Sequence, residues 1–191
     1  MTTVPSKRCA FASRAECDAA LPHILAAPRD AAAIDNLCFR PAYGKRCFPD
    51  QLHLTVAGGI ADERWLKAPW LTLPDGSPDP RIQVSILPRR VMDLCWRDRV
   101  NTVHPGDTMV ADLNMSEANL PAGTRLHAGS AVLVVSDKFN TGCAKWRDRY
   151  GADSLAWINH KPNRPLRLRG VLCRIVQDGV IHASDQIRVE R

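Results

Sequence analysis

The chain has 191 residues, of which 45% are hydrophobic and 24% charged, a composition that excludes disordered, collagenous and coiled-coil classes and allows one sizeable core. A net charge of +6 and a pI near 9.1 favour anionic ligands such as phosphates or pterin phosphates. The cations nevertheless alternate with acids, as in Arg97-Asp98-Arg99, so a polybasic nucleic-acid tail is not expected. Apolar runs such as 131–135 fall far short of the roughly 20 residues that cross a bilayer. The charged stretch after Ala12 is unlike a signal peptide, and seven cysteines at 9, 17, 38, 47, 95, 143 and 173 lack the paired spacing of a disulfide framework. A reducing, cytoplasmic compartment is therefore expected.

Residues 1–30 read as an extension, a mobile end followed by one or two helical turns. Ser13-Arg14-Ala15-Glu16 has capping-box spacing, and Pro22 and Pro28 limit the helix length. Residues 31–191 read as a single domain. Apolar residues alternate at Leu37 and Phe39, at Leu52, Leu54 and Val56, and at Ile82, Val84 and Ile86, the pattern of half-buried strands. Leu73 to Pro80 is dense in turn formers and reads as a loop. Thr124-Arg125-Leu126 and Ala131 to Val135, separated by Gly129, predict a hairpin.

Ala144 to Tyr150 has helical spacing, with Gly151 placed to supply a left-handed cap. Asp153 or Ser154 is placed to cap a further turn through Trp157 and Ile158. Val171 to Val176 and Val180 to His182 flank Asp178-Gly179, a strong hairpin signal, and Ile187 and Val189 supply a last strand. Many short strands with brief helices predict a mainly β protein built as a closed or partly closed β-barrel.

Cys143 stands out from the other cysteines. It lies between an apolar strand and a predicted helix, where backbone donors, the positive helix end and Lys145 favour a thiolate able to bind metal or carry sulfur. Cys38, Cys95 and Cys173, on strand-like segments, read as small buried hydrophobes. Arg89, Arg90, Arg97, Lys145 and Asn114 are candidates to hold an anionic phosphate. His104, before Pro105-Gly106, reads as a turn residue that is either a donor or proton carrier or a plain surface histidine. Closely spaced zinc pairs and a phosphate-binding glycine loop are both missing from the sequence. A cysteine hydrolase pairing Cys143 with a histidine has no motif behind it.

The run from Leu120-Pro121-Ala122-Gly123 through Ala131 to Ser136 and Asn140-Thr141-Gly142-Cys143-Ala144-Lys145, closing on Arg169-Gly170-Val171 and Gly179, resembles the MOSC domain, the carboxy-terminal module of molybdenum cofactor sulfurases, in a stand-alone bacterial form. Arg40-Pro41, Gly44-Lys45-Arg46 and Gly59-Ile60 to Trp65 extend the likeness upstream. His104-Pro105-Gly106-Asp107 partly echoes the family's His-Gly-Gly-x-Asp run, and Asp112-Leu113-Asn114 its Gly-Glu-Asn-Leu run. Where the family has Pro-Arg-x-Pro before its cysteine, this chain has Lys138 to Gly142.

The resemblance implies a barrel of the pyruvate-kinase type whose Cys143 binds the molybdenum cofactor (molybdopterin) or carries sulfur, with some members acting as molybdenum-dependent reductases. It implies Cys143 as metal ligand and catalytic residue, with Lys145, Asn114, Arg89, Arg90, His104, Asn140 and Thr141 as cofactor contacts. A sulfur donor such as a cysteine desulfurase is the implied partner, and pyridoxal phosphate is a cofactor associated with the family at large. The other reading is a non-enzymatic basic barrel that binds an anionic ligand, with Cys143 structural.

Overall fold

A computed structural model describes residues 11–191; the expected mobile end before Phe11 lies outside them. Helix α1 (Arg14–Leu25) opens with the expected capping box, Ser13 Oγ accepting from the Glu16 amide while the Glu16 carboxylate accepts from the Ser13 amide. It runs for 12 residues and contains Pro22 instead of stopping there. A single proline inside the helix removes one N–H donor, and burial of Cys17 and Ile24 against the next helices holds the remaining turns.

Ten strands follow: β1 (Ala32–Leu37), β2 (Gln51–Thr55), β3 (Gly59–Ile60), β4 (Val84–Pro88), β5 (Met109–Ala111), β6 (Arg125–Ala128), β7 (Ala131–Val135), β8 (Val171–Gln177), β9 (Gly179–His182) and β10 (Gln186–Val189). Seven of them close into a barrel in the order β1-β10-β6-β7-β8-β4-β5, with β5 paired back onto β1. Closure pairs the edges that an open sheet would expose. The remaining three form a small sheet, β3-β2-β9.

The predicted β6–β7 hairpin is present. The predicted β8–β9 hairpin is not, because β9 pairs with β2. Asp178 instead accepts a hydrogen bond from the Val56 amide at 2.7 Å. A Cβ on Gly179 would lie 2.3 Å from the Ala131 amide nitrogen, so close backbone approach, not a tight turn, requires that glycine. Val56 lies just past β2 and is exposed, and Ile82 belongs to a 3-10 turn, Pro80–Ile82.

Strand β4 is buried on both faces, since Val84 and Ile86 point into the barrel core while Leu87 joins a second core outside it. That second core is covered by α1, α2 (Arg89–Cys95), α3 (Ala144–Tyr150) and α4 (Ala152–Asn159). Cys95 is thus helical, not strand-borne. Gly151, at φ +94° and ψ 156°, is the residue before α4, in place of Asp153 or Ser154, and it is not in the left-handed helical region. Asp153 accepts from the Arg14 amide instead, and Ser154 Oγ donates to the Tyr150 carbonyl. Among the described residues no helix is long and apolar enough to cross a membrane.

Candidate functional site

Cys143 ends the loop that leaves β7 and stands immediately before α3, with φ −118° and ψ 179° and no cap bond from its side chain. It is exposed, whereas Cys17, Cys38, Cys95 and Cys173 are buried. Burial pushes the Cys17 thiol up to about 11 and those of Cys38 and Cys173 to about 12, with Cys95 higher still. These four remain protonated and inert at neutral pH.

The loop before Cys143 is fixed at both ends. Asn140 Nδ2 donates to the Arg169 carbonyl at 3.0 Å. Asn159, the last residue of α4, accepts from the Gly142 amide at 2.9 Å and donates to the Gly142 carbonyl at 3.0 Å.

Cys143 lines a cleft of about 420 Å³ between this loop, the segment 40–46, the 64–70 turn and α3. Asn140, Thr141 and Lys145 line it too, so the structure brings together four of the residues singled out in the sequence. The other cations on its wall, Arg40, Lys45, Arg46, Arg64, Arg149 and Arg169, carry no ligand motif in the sequence, and no carboxylate shares the lining. They are scattered over 130 positions with no local spacing. The one available signal was that Arg40, Lys45, Arg46, Arg64 and Arg169 fall inside the segments that carry the MOSC resemblance.

Two of these cations have carboxylate partners set behind the wall. Arg40 Nε is 3.5 Å from Glu63 Oε1, and Arg169 Nη1 donates to Asp107 Oδ1 at 2.8 Å. Arg169 also lies over the Trp146 ring at 4.9 Å. Lys145 Nζ stands 3.8 Å over the Tyr43 ring, with Arg64 at 5.7 Å. Arg46 Nε is buried with no hydrogen-bond partner. Burial, and next the Arg149 charge, hold Arg46 below the usual arginine value, although it stays a cation at neutral pH. Like charges held together in a concave site repel one another and are relieved by an anion.

Four expected contacts are not in this cleft. Arg90 donates to Asp112 at 2.7 Å and to the His23 carbonyl at 2.6 Å, and Arg89 Nη2 shares Asp112 at 3.1 Å. Both are committed to joining α2 to its surroundings. Arg97, also considered as a phosphate donor, donates to Glu16 on α1 at 3.0 Å. Asn114 is buried; its amide donates to the Leu25 carbonyl and its oxygen accepts from Ser116. His104 is buried rather than on the surface, wedged edge-on between Phe48 and Trp96, with Nδ1 accepting from the Gly106 amide. Burial lowers it to about 4, so it is neutral near pH 7 and does not add charge to the cleft.

No family model matches the sequence, and no curated relative does. Solved structures do match in shape. The YuaD protein from Bacillus subtilis superposes with a TM-score of 0.62 at 16% identity, covering 83% of this chain and 95% of that one. YiiM from Escherichia coli gives 0.53 at 17% identity, over 83% of this chain and 69% of that one. YiiM from Geobacillus stearothermophilus gives 0.51 at 14%, over 84% and 75%. These neighbours are MOSC-type barrels, and the chain accordingly has the MOSC-type fold, a closed seven-stranded β-barrel with a few short helices.

Proposed function

We propose that the cleft holds the molybdenum cofactor, with its phosphate among the cations and Cys143 as thiolate ligand to the metal. The observation that carries this reading is Cys143, exposed at the end of the 140–143 loop and opening onto a cleft walled by arginine and lysine with no carboxylate in the lining. The residues fit the group in two ways. Arg46, Lys145 and Arg149 line the cleft with no carboxylate partner, and Arg46 donates only to the Gly44 and Pro105 carbonyls, which suits a phosphate. Among the described residues no cluster of three or more His, Cys, Asp or Glu could hold a bare ion, so a metal at Cys143 has to bring its other ligands with it, as a metal on a pterin dithiolene does.

Arg46, Lys145, Arg149 and Arg169 would bind and orient the phosphate, Asn140 and Thr141 would border the thiolate, and Trp146 would support Arg169. When bound, the cofactor supplies two-electron redox chemistry. A second reading, Cys143 as a carrier that receives sulfur from a cysteine desulfurase and holds it as a persulfide, draws on the same exposure. A structural role suits the four buried cysteines better than the exposed Cys143.

The test is purification from cells that make the cofactor, followed by metal analysis. Close to one molybdenum per chain that is lost in Cys143→Ser supports ligation, and a Cys143 persulfide without metal, found by mass spectrometry, supports the carrier. Neither species in the parent protein contradicts both.

A further inference from the structure

We infer that Asn159 is the positioning residue of Cys143, an inference that rests on the reading of Cys143 as the working thiol of the basic cleft. Both polar functions of the Asn159 side chain go to one residue, Gly142, and so to the two peptide groups that flank it: the carboxamide oxygen accepts from the Gly142 N–H at 2.9 Å and the carboxamide nitrogen donates to the Gly142 carbonyl at 3.0 Å. Asn159 does not use its side chain to cap its own helix. The carbonyl of Trp157 at the end of α4 is taken by Asn163 Nδ2 at 2.9 Å and by the His160 amide.

The same helix packs closely on Gly142, since a Cβ there would lie 2.5 Å from Ile158 Cδ1 and 2.7 Å from Leu155 Cδ1. Trp157 and Ile158 are 0% and 1% exposed, so α4 is a rigid anchor in the second core. The residue before Cys143 is therefore held to a buried helix by two hydrogen bonds and close apolar contact, and Cys143 lines the same cleft as the cations. A local paired amide of this kind holds a group more narrowly than either bond alone, and narrow placement is what a ligating or sulfur-carrying side chain needs.

The test compares two reagents at one sulfur. Iodoacetate and iodoacetamide attack the same Cys143 thiolate, so the ratio of their rates cancels the protonation state and reports the electric field where the sulfur sits. Rates are read at Cys143 by peptide mass spectrometry, which separates it from Cys47. In the parent the ratio should exceed that of a neutral cysteine peptide and fall as salt is raised. In Asn159→Ala it should drop by at least about threefold, because the freed loop carries the sulfur away from the cations.

A parent ratio equal to the peptide's, with no salt dependence, overturns the cleft reading itself. A raised parent ratio that Asn159→Ala keeps overturns only the role of Asn159. Should the variant fail to fold, amide hydrogen exchange in the unmodified protein decides: the Gly142 N–H should exchange slowly, and exchange at the rate of an unprotected loop amide rules out the clamp.

Discussion

Around α2, Arg89 and Arg90 share Asp112 and Arg97 reaches Glu16, while in the cleft Arg46, Arg64, Lys145 and Arg149 face one another with no carboxylate in the lining. The side chains are the same type in both places, and their surroundings give them different work. The α2 group binds the helical layer to the barrel, and its charge is spent locally. The cleft group is left with net positive charge in a concave surface, a cost to the folded chain that only an external anion relieves. A basic pI cannot distinguish the two groups; the position of the carboxylates does.

The largest effect that should separate the groups is that of Asp112→Ala. It removes the carboxylate that Arg90 and Arg89 share, leaving Arg90 the His23 carbonyl and Arg89 only Asp35 at 3.6 Å, and because the Arg90–Asp112 pair is mostly shielded from water it should cost about 3 kcal/mol in urea unfolding. Phosphate binding in the cleft should be unchanged. Hydrogen bonds from Arg90 hold the Asp112 carboxyl below its ordinary value. Its contribution is therefore present above the usual carboxylate range and lost as pH falls through the lowered folded value. Asp112→Ala should flatten that part of the acid limb.

His104 belongs to neither group, and its titration tests whether it is truly neutral behind the cleft. Burial holds it near 4 in the folded chain against 6.5 otherwise. The unfolded chain therefore binds the extra proton between those values, and stability is full above pH 6.5 and falls as pH drops toward 4. The loss across that window should be roughly 3 kcal/mol. Urea midpoints measured at several pH values should show it, and His104→Phe should remove that slope; a slope that survives assigns it elsewhere.

The smallest change in stability should come from Arg149→Ala, within about 0.5 kcal/mol of the parent. Here the effect lies in binding: phosphate affinity, measured by calorimetry at low salt, should fall about three- to tenfold and the difference should shrink as salt is raised. A large loss of stability with unchanged affinity would place Arg149 with the structural group.

Much of the fold is legible from periodicity. Ile187 and Val189 on β10 of the barrel, Leu52 and Leu54 on β2 of the small sheet, and the β6–β7 hairpin at Gly129 all follow from alternation and a turn residue. Misreadings arise where tertiary contact overrides local pattern. Asp178-Gly179 has hairpin chemistry, yet Gly179 serves to let the β6–β7 backbone pass and the chain moves on to a different sheet. Helix α2 hides behind Pro88-Arg89-Arg90 because β4 is buried on both faces and runs straight into it.

At the site, Cys143, Lys145, Asn140 and Thr141 are close in sequence and could be taken together. Arg46 and Arg149 meet only through the fold, and Asn159 carries no signal short of its two bonds to Gly142. Asn114, Arg89 and Arg90 show the reverse: suitable chemistry, already consumed by Leu25, Ser116 and Asp112.

The central claim is that Cys143 and the cation wall form one anion-binding site. Protection of Cys143 from iodoacetamide by inorganic pyrophosphate at low salt tests it most directly. The account predicts saturable slowing at Cys143, none at the buried Cys173, and protection that requires about three- to tenfold more pyrophosphate in Arg149→Ala. Alkylation of Cys143 at the same rate with and without pyrophosphate, or protection unaltered in Arg149→Ala, would contradict it.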